Sequence, residues 1–269
     1  MSLSMYLADQ FLAVWPTIVM LDLARYLIAA GVLTGVLRVF ARPLAGRRIQ
    51  PRLATSRDRQ REIGFSLLTV LLFSLVGFSV FIGSQHGVFR IYSGELPGTG
   101  RLLLEFAAFV LLHDTYFYWA HRAMHTRWLF RRVHRLHHRS RTPTPWAAYA
   151  FAPPEAVLEA AIMPIAALLL PMHELTAFLF VTHMIARNVV GHAGVELFPR
   201  WWLRVPLLRL VTTTTHHDLH HSHGGCNFGL YFTWWDQWMN TEHPDYTRRF
   251  LAAAANRGHE ELTHKENPE

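Results

Sequence analysis

The chain has 269 residues, of which 51% are hydrophobic, 13% aromatic and only 17% charged. That length and apolar content exclude a disordered or low-complexity protein, and a charged fraction well below the roughly 25% of soluble domains points towards a membrane. The 26 basic and 19 acidic residues leave a net charge of +7, and Lys265 is the single lysine; one cysteine, Cys226, excludes an intrachain disulfide and a CxxC zinc site.

No basic segment opens the chain and Asp9 interrupts its start, so no cleavable signal peptide is expected. The first apolar stretch, Phe11 to Phe40, exceeds the roughly 20 residues that span a bilayer. Inside it Asp22 and Arg25 stand three apart and can pair on one helical face. The second stretch, Ile63 to Phe89, contains no Asp, Glu, Lys or Arg. The third, Leu102 to Ala120, is apolar apart from Glu105, His113 and Asp114. The fourth, Ala156 to Val190, is broken at Pro171–Glu174 and reads as a helical hairpin whose halves are short for full spans. The expected architecture is an all-α integral membrane bundle of about four transmembrane segments, the last a hairpin, with a cytoplasmic histidine-rich cap. Residues 1–100 form its N-terminal membrane region, 101–245 its chemical region and 246–269 a polar C-terminal tail.

Eight arginines fall between Arg38 and Arg61 and seven between Arg122 and Arg141, whereas Ser84 to Arg101 holds two. The positive-inside rule then places the 41–62 and 121–155 segments in the cytoplasm. The segment Leu197 to Leu210 alternates large apolar residues with Arg200, Arg204 and Arg209 and reads as interfacial. Trp234, Trp235 and Trp238 suit either an interface or packing. No repeat or linker divides the chain. The near-exclusive use of arginine hints at a high-GC bacterial genome, and hence an inner membrane.

Fourteen of the 18 histidines lie between His113 and His223. His121 and His125 form H-x3-H, with both imidazoles on one face if the third stretch continues as a helix. His134, His137 and His138 form H-x2-HH; the last two diverge around a helix, so one can face one ion and its neighbour a second. His217, His220 and His221 repeat that spacing about 80 residues later. His192 lies between them, four residues after Asn188 and four before Glu196. Nine imidazoles are too many for one ion, since zinc takes about four ligands, and suit two. An all-nitrogen set is compatible with zinc, copper, iron or nickel. Asp114, Asn188, Glu196 and Asp218 are candidates to orient these imidazoles from behind. His113, His183 and His216 stand open as further ligands, His223 reads as a bystander, and His86, His173, His243, His259 and His264 as surface or loop residues.

HRAMH at 121–125, HRLHH at 134–138 and HDLHH at 217–221 together resemble the three histidine boxes of the fatty acid hydroxylase and sterol desaturase superfamily. YWAHR around His121, TPTPWAAYAF with PPEAVLE after the second box, NVVGHAGVE and NFGLYFTWWDQWMNT extend the resemblance, in order, from Leu102 to His243. It implies a membrane oxidoreductase with two irons held by His121, His125, His134, His137, His138, His192, His217, His220 and His221. Such an enzyme uses O₂ to hydroxylate or desaturate a sterol-like or fatty-acyl lipid in lipid biosynthesis. Some relatives carry a histidine where Asn188 stands. The chain has no GxGxxG fingerprint and no haem extension, so electrons are expected from a separate carrier protein, and no nucleic acid partner is expected.

Two other readings compete. A divalent-metal transporter would scatter ligands at mid-depth in several spans, whereas these collect at cytoplasmic ends and in loops. A membrane zinc hydrolase would place a glutamate in an HExxH-type box, and residues 121–125 contain none.

Overall fold

The computed structural model describes residues 2–255 and is mainly helical. Helix α1 (Leu3–Val39) starts where the Ser2 hydroxyl accepts the Met5 amide. Helix α2 (Ser56–Gln85) starts at a reciprocal cap, Thr55 and Asp58 each accepting the other's amide at 3.1 and 3.0 Å. Helix α3 (Thr99–Met124) carries the third apolar stretch directly into the first histidine pair. A single turn, α4 (Arg127–Leu129), then opens into a π-type turn over Phe130–His134 and a 3-10 turn over His137–Arg139. Helices α5 (Pro153–Ala160) and α6 (Ile162–Leu169) follow, and Pro171 bars continuation. Helix α7 (Glu174–Gly191), short α8 (Pro206–Arg209), α9 (Thr214–His223), short α10 (Trp234–Trp238) and α11 (Tyr246–Ala254) complete the chain. Two two-residue strands, β1 (Ile91–Tyr92) and β2 (Met172–His173), pair in parallel, Ile91 opposite Met172.

Two helices are long and apolar enough to cross a membrane, α1 and α2. They pack together and turn much apolar surface outward, Leu12, Ile28 and Val32 on α1 and Leu71 and Leu75 on α2 among it. The other two expected spans differ. Helix α3 has the length, but Arg101, Glu105, His113, Asp114 and Arg122 interrupt its apolar character. In the fourth stretch the break at Pro171–Glu174 separates α6, which packs on α2 and α3, from α7, which packs on α1 and α3.

One apolar cluster joins Tyr26, Val70, Tyr149 and Ile185. A second joins Phe109, Ile162, Phe180 and Tyr231, with the Phe109 and Phe180 rings stacked. A third sets Leu219 of α9 against Tyr246 and Phe250. The first residues of the expected polar tail are therefore the amphipathic helix α11, whose buried Phe250 underpins the last histidine box. His259 and His264 lie outside the described residues.

The arginine-rich connection between α1 and α2 folds onto the histidine region. Ile49 donates to the Gly194 carbonyl, Glu196 to that of Arg47, and Gln50 bonds both the Arg141 carbonyl and Asp218. Both arginine-dense segments and the histidine boxes thus share one end of the molecule.

In the interfacial segment, Trp201 and Leu207 are exposed while Trp202 packs on Phe198. The later tryptophans divide: Trp235 stacks on Tyr118 and Trp238 is exposed. His173, expected at the surface, is buried and caps α7, its Nδ1 accepting the Leu175 amide at 3.0 Å.

Candidate metal centre

The nine box histidines converge into two groups. His121, His125, His134, His138 and His220 form one; His137, His192, His217 and His221 form the other. The last turn of α3, the turns after α4, the C-terminal end of α7 and helix α9 supply them. Each adjacent pair splits: His138 and His220 join the first group, His137 and His221 the second. Neighbours in sequence diverge around a helical backbone, so one H-x2-HH box serves two centres. His192 is the residue that ends α7, so Glu196 lies beyond the helix and shares no helical face with it.

In the first group, His138 Nε2 lies 3.1 Å from those of His125 and His134 and 3.0 Å from that of His220. In the second, His192 Nε2 lies 3.1 Å from His221, 3.2 Å from His217 and 3.4 Å from His137. Ligands about 2.1 Å from one ion stand roughly 3.0 Å apart at right angles and roughly 3.4 Å apart at tetrahedral angles. The donor set therefore fits a cation in each group. Five imidazoles exceed the four of a closed zinc site, while imidazole also suits iron.

The outer ring nitrogens fix which nitrogen faces inward. His121 Nδ1 bonds the Phe228 carbonyl at 2.9 Å, His220 Nδ1 that of Cys226 at 2.7 Å and His192 Nδ1 that of Asn188 at 2.7 Å. His134 Nδ1 meets Glu155 Oε1 at 2.7 Å with both side chains buried. A carbonyl can only accept, so Nδ1 carries the proton and the Nε2 lone pair turns to the centre. Burial, reinforced by the neighbouring imidazoles, lowers His138 to about 3 and holds His217, His220 and His221 well below the usual imidazole value. Neutral imidazoles are the form that binds a metal.

The four residues expected behind the imidazoles have other partners. Asp114 Oδ1 accepts the amides of Tyr231 and Phe232 at 3.0 and 3.1 Å. Glu196 takes those of Phe198 and Thr215, each at 2.8 Å, and so anchors the first turn of α9. Asp218 accepts from Gln50 at 2.8 Å. Asn188 donates its side-chain amide to the Ala148 carbonyl, and only its backbone oxygen reaches His192. These groups brace the backbone frame around the imidazoles. The carboxylate that does hold an imidazole is Glu155; its signal was its place in PPEAVLE after the second box. Spacing cannot reveal the pair, because His134 and Glu155 meet only through tertiary packing.

His113, His183 and His216 join neither group. His113 Nδ1 meets the Tyr231 hydroxyl at 2.9 Å, His183 packs on Phe106 and Tyr231, and His216 lies buried 3.5 Å from Asp236. Asp236 also escaped notice in the sequence. Its carboxylate takes the Phe228 and Gly229 amides at 2.8 Å, shaping the loop whose carbonyls hold His121 and His220.

A cavity of about 520 Å³ lies between α1, α2, α6 and α7, walled by Phe73, Val76, Val80, Phe178 and Met184 among others. Glu159, buried and without a side-chain hydrogen bond among the described residues, lines it one helical turn after Glu155. Tyr149 lines it too, and shares a cluster with Phe151, whose ring is 5.1 Å from that of His137.

A profile of the fatty acid hydroxylase family matches residues 106–241. The chain is 31% identical to a Delta(7)-sterol 5(6)-desaturase of Gibberella zeae, over 71% of this chain and 58% of that protein. It is 28% identical to lathosterol oxidase of Homo sapiens, over 66% and 59%, and 30% identical to a C-4 methylsterol oxidase of Schizosaccharomyces pombe, over 60% and 55%. The chain thus spans under two thirds of the length of these curated relatives. No solved structure matches it. With half of its length matched, histidine boxes included, the chain belongs to the fatty acid hydroxylase family.

Proposed function

We propose that the protein is a membrane-bound, O₂-dependent oxidoreductase that hydroxylates or desaturates a lipid. The observation that carries this reading is the convergence of nine Nε2 atoms into a five-histidine and a four-histidine group. His121, His125, His134, His138 and His220 would hold one iron, and His137, His192, His217 and His221 the second. Iron bound there supplies the oxidising power for an unactivated C–H bond. Either reaction consumes O₂, two electrons and two protons. Hydroxylation leaves one oxygen in the lipid and one in water; desaturation sends both oxygens to water with two lipid hydrogens.

The chain's own residues do the rest. Glu155 and the Phe228, Cys226 and Asn188 carbonyls keep protons on the outer nitrogens and lone pairs turned inward. Phe130, Phe151 and Phe228 ring the imidazoles with apolar surface that excludes water. The cavity by Glu159 receives the lipid from between α1, α2 and α7, and its buried carboxyl takes a hydrogen bond from the substrate's polar end. Helices α1 and α2 cross the membrane, with the arginine-rich end on the cytoplasmic side. A separate protein delivers the electrons. The named reactions of the sterol-modifying relatives make a sterol-like lipid the first substrate class to offer.

The test is elemental analysis of gently solubilised protein, followed by turnover with a reducing partner, O₂ and a lipid extract. The expected result is near two irons per chain and a product heavier by one oxygen or lighter by two hydrogens. His137→Ala and His220→Ala should abolish product while the protein still inserts into membranes. Retained turnover in either variant sinks the two-iron reading.

A further inference from the structure

A second cavity, of about 300 Å³, lies at the arginine-rich end, outside the histidine centre. Arg38, Arg48 and Arg59 line it, with Leu37, Leu44 and Leu53 beside them, and among the described residues no Asp or Glu does. Arg38 belongs to the last turn of α1 and Arg59 to the beginning of α2, so the cavity sits where both apolar helices end. Of the other arginines in this connection, Arg52 and Arg61 pair with Asp58 and Arg47 donates to the Glu196 and Phe198 carbonyls, while Arg42 and Arg57, which make no ion pair among the described residues, lie outside the cavity. What sets Arg38, Arg48 and Arg59 apart is that they share one recess. Arg38 and Arg48 make neither an ion pair nor a side-chain hydrogen bond among the described residues, and Arg59 donates only to the Ala54 carbonyl and the Ser56 hydroxyl. The acid behind this wall, Glu62, is buried, bonded to the Thr144 hydroxyl and not part of the lining.

Three guanidiniums around one recess without a counter-charge form a site for an anion. Guanidinium forks match phosphate oxygens in particular. The leucines at its edge, and its height at the ends of two membrane-length helices, match a phosphate that carries acyl chains. We propose that this cavity binds the phosphate headgroup of an anionic phospholipid. The site lies on the connection that clasps residues 194–198, so an occupied headgroup also ties the ends of α1 and α2 to the histidine cap. Basic pockets at the ends of membrane helices recognise such headgroups by charge and geometry together.

The test compares the full-length protein in neutral detergent with the double variant Arg38→Gln/Arg48→Gln. A control, Arg42→Gln/Arg57→Gln, removes the same charge from the same connection outside the cavity. Native mass spectrometry and thermal melting are read with added phosphatidylglycerol, with phosphatidylcholine and with inorganic phosphate alone. Phosphatidylglycerol should bind wild type and raise its melting temperature, and the control should keep that effect. The cavity variant should bind roughly thirtyfold more weakly, from the usual contribution of two surface guanidiniums, while its melting temperature without lipid stays that of wild type. Equal loss in both variants would reduce the effect to diffuse charge and overturn the site. An equal shift with phosphatidylcholine or with inorganic phosphate would overturn the anionic lipid as its ligand.

Discussion

The two histidine groups reach the same inward geometry by different means. In the five-histidine group, three imidazoles are held from behind: His121 and His220 by carbonyls of the 226–228 loop and His134 by the Glu155 carboxylate. His125 and His138 are partly exposed. In the four-histidine group every imidazole is buried, His192 Nδ1 is held by the Asn188 carbonyl, and His221 Nδ1 has no hydrogen-bond partner among the described residues. The first group is tuned by hydrogen bonds and open on one side; the second is fixed by packing. His125 and His138 thus leave the first group partly open to the surface, whereas the second is enclosed.

The largest effects should come from removing one ligand per group. His138→Ala and His192→Ala should both abolish turnover, yet each should lose a different ion of the pair, read as metal content per chain. Loss of both ions from either variant would mean that the groups are one cooperative site. Next comes Glu155→Gln, which keeps the shape but weakens the grip on His134. Metal affinity or activity should fall about 10- to 100-fold, whereas Asp218→Asn, which touches Gln50 and no imidazole, should leave metal affinity unchanged. An equal loss in both would deny Glu155 a special part.

Acid should expose the burial of both groups. In the metal-free fold His138, His217, His220 and His221 stay neutral well below pH 6.5, while the unfolded chain protonates them near 6.5. The unfolded state then binds more protons, so stability falls as pH drops through about 6.5. Asp218, pushed up to about 7 by burial, acts oppositely from about pH 4 to 7, as do Asp114, Glu155, Glu159 and Glu196, but the nine box imidazoles, all lowered by burial, outnumber these five acids. Melting of metal-free protein at pH 7.5 and 5.5 checks the sign; a higher melting temperature at 5.5 contradicts it. The smallest effect concerns Asn188. Its backbone oxygen, not its side chain, holds His192, so Asn188→Ala should keep full metal content. It should cost about 1–3 kcal/mol by orphaning the Ala148 carbonyl. Lost metal would mean that the side chain itself faces the ion.

The histidine pattern was legible because ligand spacing is a local property of helices and turns. Residues three and four apart share a side and adjacent ones diverge, which separates His137 from His138 before any fold is known. The supporting acids were not legible on the same grounds. Asp114 lies one heptad before His121, yet it turns to the amides of Tyr231 and Phe232. Glu155 was quoted in a motif without a role, since its bond to His134 crosses 21 residues of irregular chain. Hydropathy also left the number of spans open. It marks every apolar stretch alike, yet among the described residues α1 and α2 are the helices long and apolar enough to cross a membrane, while α6 and α7 both pack on α3.

Composition, spacing and box order by themselves determined a helical, membrane-associated chain with two nitrogen-rich groups, because hydropathy and helical periodicity act over a few turns. Tertiary structure alone decided which five and which four histidines meet and which carboxylate holds one of them. It also decided that Arg38, Arg48 and Arg59 enclose an uncompensated recess. Those outcomes depend on how α3, α5, α7 and α9 pack, and packing brings together groups whose separation in sequence carries no trace of their contact.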